Sequence, residues 1–107
     1  MDKVLERIRV ANLSELPKNL GKTVKIGPYD IALFHLADGK IRAIENRCPH
    51  RGGVLAEGMI SGEYVFCPMH DWKINVSDGN VQAPDTGCVK TFEVEVDQDE
   101  VFIVLNP

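Results

Sequence analysis

Apolar and polar residues alternate with a period of two through much of the chain, and short turn signals interrupt that alternation often. Asp38-Gly39, Ser61-Gly62, Asp78-Gly79 and Asp97-Gln98-Asp99 supply the signals. Asp-Gly between apolar runs favours a hairpin, because both positions tolerate the positive φ of a tight turn. Ile31-Ala32-Leu33-Phe34 therefore reads as a strand leading into Asp38-Gly39, with Lys40 to Ile44 leading out. Tyr64-Val65-Phe66 follows Ser61-Gly62, while Trp72 to Val76 and Asn80-Val81 flank Asp78-Gly79. The cleanest alternation is Thr91 to Val96, with Phe92, Val94 and Val96 on one face, and Val101 to Leu105 reads as its buried partner. Ile8-Arg9-Val10 is read as strand. Ser14-Glu15-Leu16 is read as one helical turn, capped by Ser14 and stopped by Pro17. Many short strands with little helix predict an all-β fold, a small antiparallel sandwich or barrel.

Composition narrows the function classes. A chain of 107 residues suits a single domain, and 44% hydrophobic with 26% charged residues is ordinary for a globular one. A net charge of −4 leaves no basic footprint, so nucleic acid is not an expected partner. No apolar run approaches the ~18 residues of a membrane span. Met1 to Arg7 lacks the apolar stretch of a signal peptide, so a cytoplasmic address is expected. Thiols stay reduced there, and the odd count of three cysteines argues against a disulfide scaffold.

Two segments concentrate soft ligands: Cys48-Pro49-His50-Arg51-Gly52-Gly53 and Cys67-Pro68-Met69-His70-Asp71-Trp72. Together they read C-x-H, sixteen intervening residues, then C-x-x-H. Each supplies one thiolate and one imidazole at the end of a predicted strand, after Ile44 and after Phe66. A rigid sheet presents ligands at its tip in this way. Three readings compete. The pairs could be coincidental, with both cysteines buried as small hydrophobes. Cys₂His₂ could hold structural zinc, although zinc fingers rarely interleave the two ligand types. Or the set could bind a [2Fe–2S] centre in which two His replace two Cys on one iron.

On this motif the sequence resembles the Rieske family. The resemblance implies a Rieske fold over residues 1–107, with a cluster-binding subdomain at about 45–86 inserted in a basal β scaffold. It implies one [2Fe–2S] cluster, with Cys48 and Cys67 on the inner iron and His50 and His70 on the outer one. Gly52 and Gly53 would let backbone N–H groups approach the bridging sulfides, and Pro49 and Pro68 would stiffen the loops. Pro84 and Asp85, in Val81 to Gly87, resemble the proline-bearing third loop that shields such clusters, though Pro and Gly mark any surface turn. Trp72 either shields the cluster or packs in the core. Cys88 is read as a buried core thiol, His35 as a surface or internally satisfied histidine, and Glu93 to Glu100 as a solvated strand face and turn.

A Rieske centre moves one electron and makes no bonds itself. Beyond His50 and His70 only His35 remains, so the two-His-one-carboxylate iron site of a Rieske oxygenase cannot be built. No nucleotide fingerprint is present. The chain is therefore expected to relay electrons as a subunit, with no catalytic residue of its own. The run from Asn46 to Val96 resembles the small subunit of assimilatory NAD(P)H-dependent nitrite reductase, on Cys48 to Gly53, Ser61 to Ile74 and Gln82 to Phe92. That implies a large partner subunit with FAD, a [4Fe–4S] cluster and siroheme, reducing nitrite to ammonia. A Rieske ferredoxin feeding an aromatic-ring dioxygenase would use the same ligands, and a zinc-stapled binding module is the third reading.

High-potential Rieske proteins carry an extra, disulfide-bonded cysteine in each ligand loop, where this chain has Gly53 and Met69. They also place a serine and a tyrosine where this chain has Trp72 and Ile74. Two hydroxyl donors to the cluster are thereby missing, so the more negative, reduced state is stabilised less. A redox titration is expected to give a midpoint of roughly −150 mV, at the low end of the Rieske range. A clearly positive midpoint would contradict this.

Overall fold

The run Ile31 to Leu36 is buried without a break, which is the mark of a strand covered on both faces. The computed structural model, which describes residues 6–49, 53–69 and 72–105, places it in a strand that feeds both interior cores. Strand β3 (Tyr29–His35) lies between β2 (Leu20–Ile26) and β4 (Ile41–Glu45), and both pairings are antiparallel. β4 then pairs with β8 (Thr91–Asp97), β8 with β9 (Glu100–Leu105), and β9 with β1 (Glu6–Asn12). The result is a six-stranded antiparallel sheet in the order β1-β9-β8-β4-β3-β2. A second, three-stranded sheet is built from β5 (Met59–Ser61), β6 (Tyr64–Phe66) and β7 (Lys73–Asn75). In the chain it falls between β4 and β8, which are neighbours in the large sheet, so the excursion leaves and returns at one place. The fold is all-β. Among the described residues the helical pieces are two 3₁₀ turns, Leu13–Glu15 and Leu55–Glu57, and no helix is long and apolar enough to cross a membrane.

Period-two alternation divides the interior into two cores. Ile31 and Leu33 of β3 join Ile41, Ala43, Val101 and Ile103 in a basal core. Ala32 and Phe34, on the opposite face, join Ile44, Leu55, Val65, Ile74, Val76, Val81 and Val89 in a second core beneath the small sheet. Cys48 and Cys67 belong to this second core. The basal edge is closed by surface pairs: Arg7 with Glu95 at 3.2 Å and Arg9 with Glu100 at 3.1 Å. Two of the five acidic residues in the stretch 93–100, Glu95 and Glu100, thus have ion-pair partners on a solvated face.

Several expectations need correction. The 3₁₀ turn starts one residue earlier than Ser14-Glu15-Leu16, and Ser14 is not its cap. Asn12 takes that position, with its amide donating to the Glu15 carboxylate at 2.9 Å. The Asp99 carboxylate instead captures both the amide and the hydroxyl of Ser14, at 3.0 and 2.9 Å. Cys88 is exposed. It bridges Asn80 across an edge, while its neighbour Val89 turns inward to the core. His35, by contrast, is internally satisfied as expected: it is buried, with Nδ1 2.7 Å from the Leu16 carbonyl oxygen. Strands β2 and β5 carry no clear alternation, and the hydrophobic pattern does not flag them.

β2 approaches the second core at Gly21, where an added Cβ would lie 2.4 Å from the Ala56 carbonyl oxygen and 2.7 Å from Phe34 Cε1. Neither neighbour is the end of a flexible surface side chain. Gly21→Ala is expected to lower stability by about 1–3 kcal/mol through overpacking, measured by chemical denaturation. An unchanged unfolding midpoint would contradict this contact.

Candidate functional site

β4 ends at Glu45 and β6 ends at Phe66, and each hands the chain to a cysteine within three residues. The two loops that follow close in the same way. The amide of Cys48 donates to the Gly53 carbonyl at 2.9 Å, and the amide of Cys67 donates to the Trp72 carbonyl at 2.9 Å. Each hydrogen bond spans five residues, so each loop folds back on the cysteine that begins it. The cysteines themselves are almost fully enclosed, Cys48 being 2% and Cys67 1% exposed. Of the predicted site residues, these two are brought into one core. His50 and His70, together with Arg51, Gly52 and Asp71, lie outside the described residues. Among the described residues no three metal-binding side chains cluster.

The loops meet at Gly53. A Cβ there would lie 2.8 Å from Cys67 Sγ and 2.7 Å from Met69 Cγ. Backbone of the first loop thus lies directly against the sulfur of the second, a separation that only glycine permits without displacement. Met69 stays half-exposed while packing its stem across this junction. The two positions expected from the resemblance to carry a disulfide in high-potential relatives are therefore spatial neighbours here, joined by a packing contact.

Residues 82–87 form a third loop beside the first. The Gln82 amide hangs it from the Lys73 carbonyl of β7 at 2.8 Å, and the Val81 amide closes it on the Gly87 carbonyl at 3.0 Å. Gly87 has φ +139, and a Cβ there would touch Pro49 Cγ at 3.4 Å. Pro84 is exposed and Asp85 half-buried. Trp72 packs partly buried on the second core, and Ile74 is completely buried within it. The two positions where the resemblance places hydroxyls in high-potential relatives thus hold side chains packed on or within the second core.

One residue here is not apparent from the sequence pattern. Asn46, 5% exposed, precedes the first loop and makes hydrogen bonds to three separate segments: Thr23, Asp30 and Ala56. Its only sequence signal is a polar residue ending an apolar strand, which does not distinguish it from any turn residue.

Comparison with known proteins bears on this arrangement. The family described as Rieske [2Fe–2S] domain matches residues 6–93. The ferredoxin component of the naphthalene 1,2-dioxygenase system of Pseudomonas aeruginosa is 30% identical over 95 residues, covering 88% of this chain and 90% of the relative. Among solved structures, a chain from the complex of reduced oxygenase and oxidized ferredoxin in carbazole 1,9a-dioxygenase superposes with a TM-score of 0.81. It is 30% identical, and the match covers 90% of this chain and 99% of that one. A structure assigned as the small subunit of an NADPH nitrite reductase also gives a TM-score of 0.81, at 26% identity over 92% of this chain and 97% of that one. Two buried cysteines on closed loops, glycine backbone against sulfur, and a family match over most of the chain lead to one assignment: the protein belongs to the Rieske [2Fe–2S] family and is an electron-transfer domain with a Rieske cluster as its cofactor.

Proposed function

We propose that Cys48, His50, Cys67 and His70 hold the cluster, and that the chain serves as the electron-transfer subunit of an assimilatory NAD(P)H-dependent nitrite reductase. The observation that carries the ligand set is the junction at Gly53. Bridging sulfides and thiolates are acceptors without donors, and they need backbone N–H groups at close range. A loop whose backbone comes within side-chain distance of Cys67 Sγ suits that need, and a bulky residue there would not. When bound, the cluster accepts and releases one electron.

The chain's own residues do the rest. Cys48 and Cys67 anchor the inner side of the site in a core of Ile44, Leu55, Val65 and Ile74, which excludes water from the sulfurs. The two five-residue hydrogen bonds keep the loops closed, limiting movement when charge changes. Residues 45–86 act as the cluster-binding subdomain of a single domain spanning 1–107. The third loop, with Pro84 and Asp85, covers the first from the side of Pro49. No residue is assigned a catalytic role, and the protein works in the cytoplasm.

The partner on this reading is a large subunit carrying FAD, a [4Fe–4S] cluster and siroheme, which reduces nitrite to ammonia. Support comes from the resemblance of residues 61–74 and 82–92 to nitrite reductase small subunits, and from the end-to-end match to the solved chain so assigned. A second reading has its own support: the ferredoxin component of a naphthalene dioxygenase system also matches end to end, at 30% identity. On that reading the chain is a ferredoxin supplying an aromatic-ring dioxygenase.

Affinity purification of the tagged holoprotein from its own cells, followed by cofactor analysis of what accompanies it, tests both. A siroheme-bearing partner that accepts NAD(P)H and turns over nitrite is the expected result. An oxygenase with a flavin reductase would replace the first reading by the second, and colourless protein with stoichiometric zinc would overturn both. The ligand set has a separate check. Gly53→Ala is expected to lower iron content and cluster lifetime by about tenfold or more, as loss of an outer-shell contact does. Wild-type iron content and absorption in that variant would contradict the proposed contact between loop and ligand.

A further inference from the structure

Buried polar side chains are retained where their hydrogen bonds specify an arrangement, and Asn46 is one of two polar residues buried among those described. Its Nδ2 donates to Thr23 Oγ1 on β2 and to Asp30 Oδ1 on β3, both at 3.1 Å. Its Oδ1 accepts the Ala56 amide at 2.8 Å. Its own amide donates to the Asp30 carbonyl at 2.9 Å. An amide hydrogen can only be donated and a carboxylate can only accept, so these partners fix which way the carboxamide points.

Asn46 stands two residues before Cys48, and Ala56 stands three residues after Gly53 in the turn Leu55–Glu57. One side chain therefore spans the two roots of the first ligand loop and ties both to the two strands beneath. Gly21 adds a second restraint at the same place, since β2 lies against the Ala56 carbonyl there.

We propose that Asn46 is a positioning residue for the cluster: its carboxamide clamps both ends of the Cys48 loop to the basal sheet and so sets the orientation of that loop's ligands. The proposal rests on the reading that Cys48 and His50 bind the cluster. Groups behind the ligands fix ligand orientation, and their loss typically costs about 10–100-fold in metal affinity. A loop fixed at both roots also has little freedom to shift between oxidation states.

The network offers a test by exchange. Asn46→Asp keeps an acceptor for the Ala56 amide, but it removes both donors and sets a second carboxylate against Asp30. Adding Asp30→Asn restores a donor across that contact. The Thr23 hydroxyl, which can donate as well as accept, turns to serve the carboxylate at position 46. Asn46→Ala, Asn46→Asp, the double variant Asn46→Asp/Asp30→Asn, and Ile103→Val in the basal core are purified with cluster. Each is measured for the EPR spectrum of its reduced form, its midpoint potential, its rate of cluster loss to a chelator, and its Tm.

The two single Asn46 variants are expected to show altered g-values or broadened lines and cluster loss about tenfold faster than wild type. The double variant is expected to return to the wild-type spectrum and lifetime. Ile103→Val is expected to lower Tm with spectrum and lifetime unchanged. Should both single variants fail to fold, recovery in the double variant alone supports the clamp. The proposal is overturned if Asn46 variants lose Tm yet keep the wild-type spectrum and cluster lifetime, or if the double variant stays as impaired as Asn46→Asp. A wild-type protein without a His-ligated [2Fe–2S] signal would instead overturn the ligand reading beneath it.

Discussion

The sulfur of Cys67 occupies the place that a side chain at position 53 would need, and the rest of the structure depends on that approach. Two loops from different sheets must come within van der Waals contact, one offering backbone and the other a thiol. Each is closed by a hydrogen bond from its cysteine amide to a carbonyl five residues on, so its path is set by where its strand ends. Any tilt of the small sheet against the large one would open or crush the junction. The relation between the two sheets is therefore the quantity that the fold has to hold constant.

Packing alone holds it loosely, because apolar burial is non-directional. The second core supplies the force: Ala32, Phe34 and Ile44 of the large sheet meet Val65 and Ile74 of the small one. Direction comes from polar contacts at the seam. The Asn46 carboxamide binds Thr23, Asp30 and Ala56 together. The Glu45 amide donates to the Lys90 carbonyl and the Glu45 carboxylate accepts the Lys90 amide, where the chain returns to β8. Both the departure from the large sheet and the return to it are thus pinned by hydrogen bonds, with the apolar core between. β3 makes this economical, since one strand feeds side chains alternately into both cores.

What could be read from the sequence follows from the range of the forces involved. The strands around Asp38-Gly39 and the alternation from Thr91 to Val96 are local signals, and both are found where expected. The cysteine loops are legible because the C-x-H and C-x-x-H spacing stands out in the chain, and Cys48 and Cys67 do share one core. β2 was illegible because Gly21 replaces an apolar side chain where Ala56 and Phe34 leave no room, and Lys22 and Lys25 dilute the pattern. Cys88 lies outside the core because alternation gives the inward position to its neighbour Val89, a preference that residue type alone does not reveal. The roles of Asp99 at Ser14 and of Asn46 depend on partners 85 and 10–23 residues away. No window along the chain contains those pairs.

Positions 72 and 74 tie the redox chemistry to the same packing. The resemblance places hydroxyls at these two positions in high-potential relatives, but here Ile74 is entirely buried in the second core and Trp72 packs onto it. A polar group at 74 would have to find its partner inside that core or leave a buried donor unsatisfied, at a cost of about 1–3 kcal/mol. The core that fixes the spacing of the two loops thus also occupies the two positions where the resemblance places hydroxyls in high-potential relatives. Raising the potential by adding donors would therefore draw on the apolar contacts that hold the small sheet in place. Sheet placement and the side chains at positions 72 and 74 are set by one group of apolar contacts, and the low potential expected from the sequence would follow from how the second core is filled.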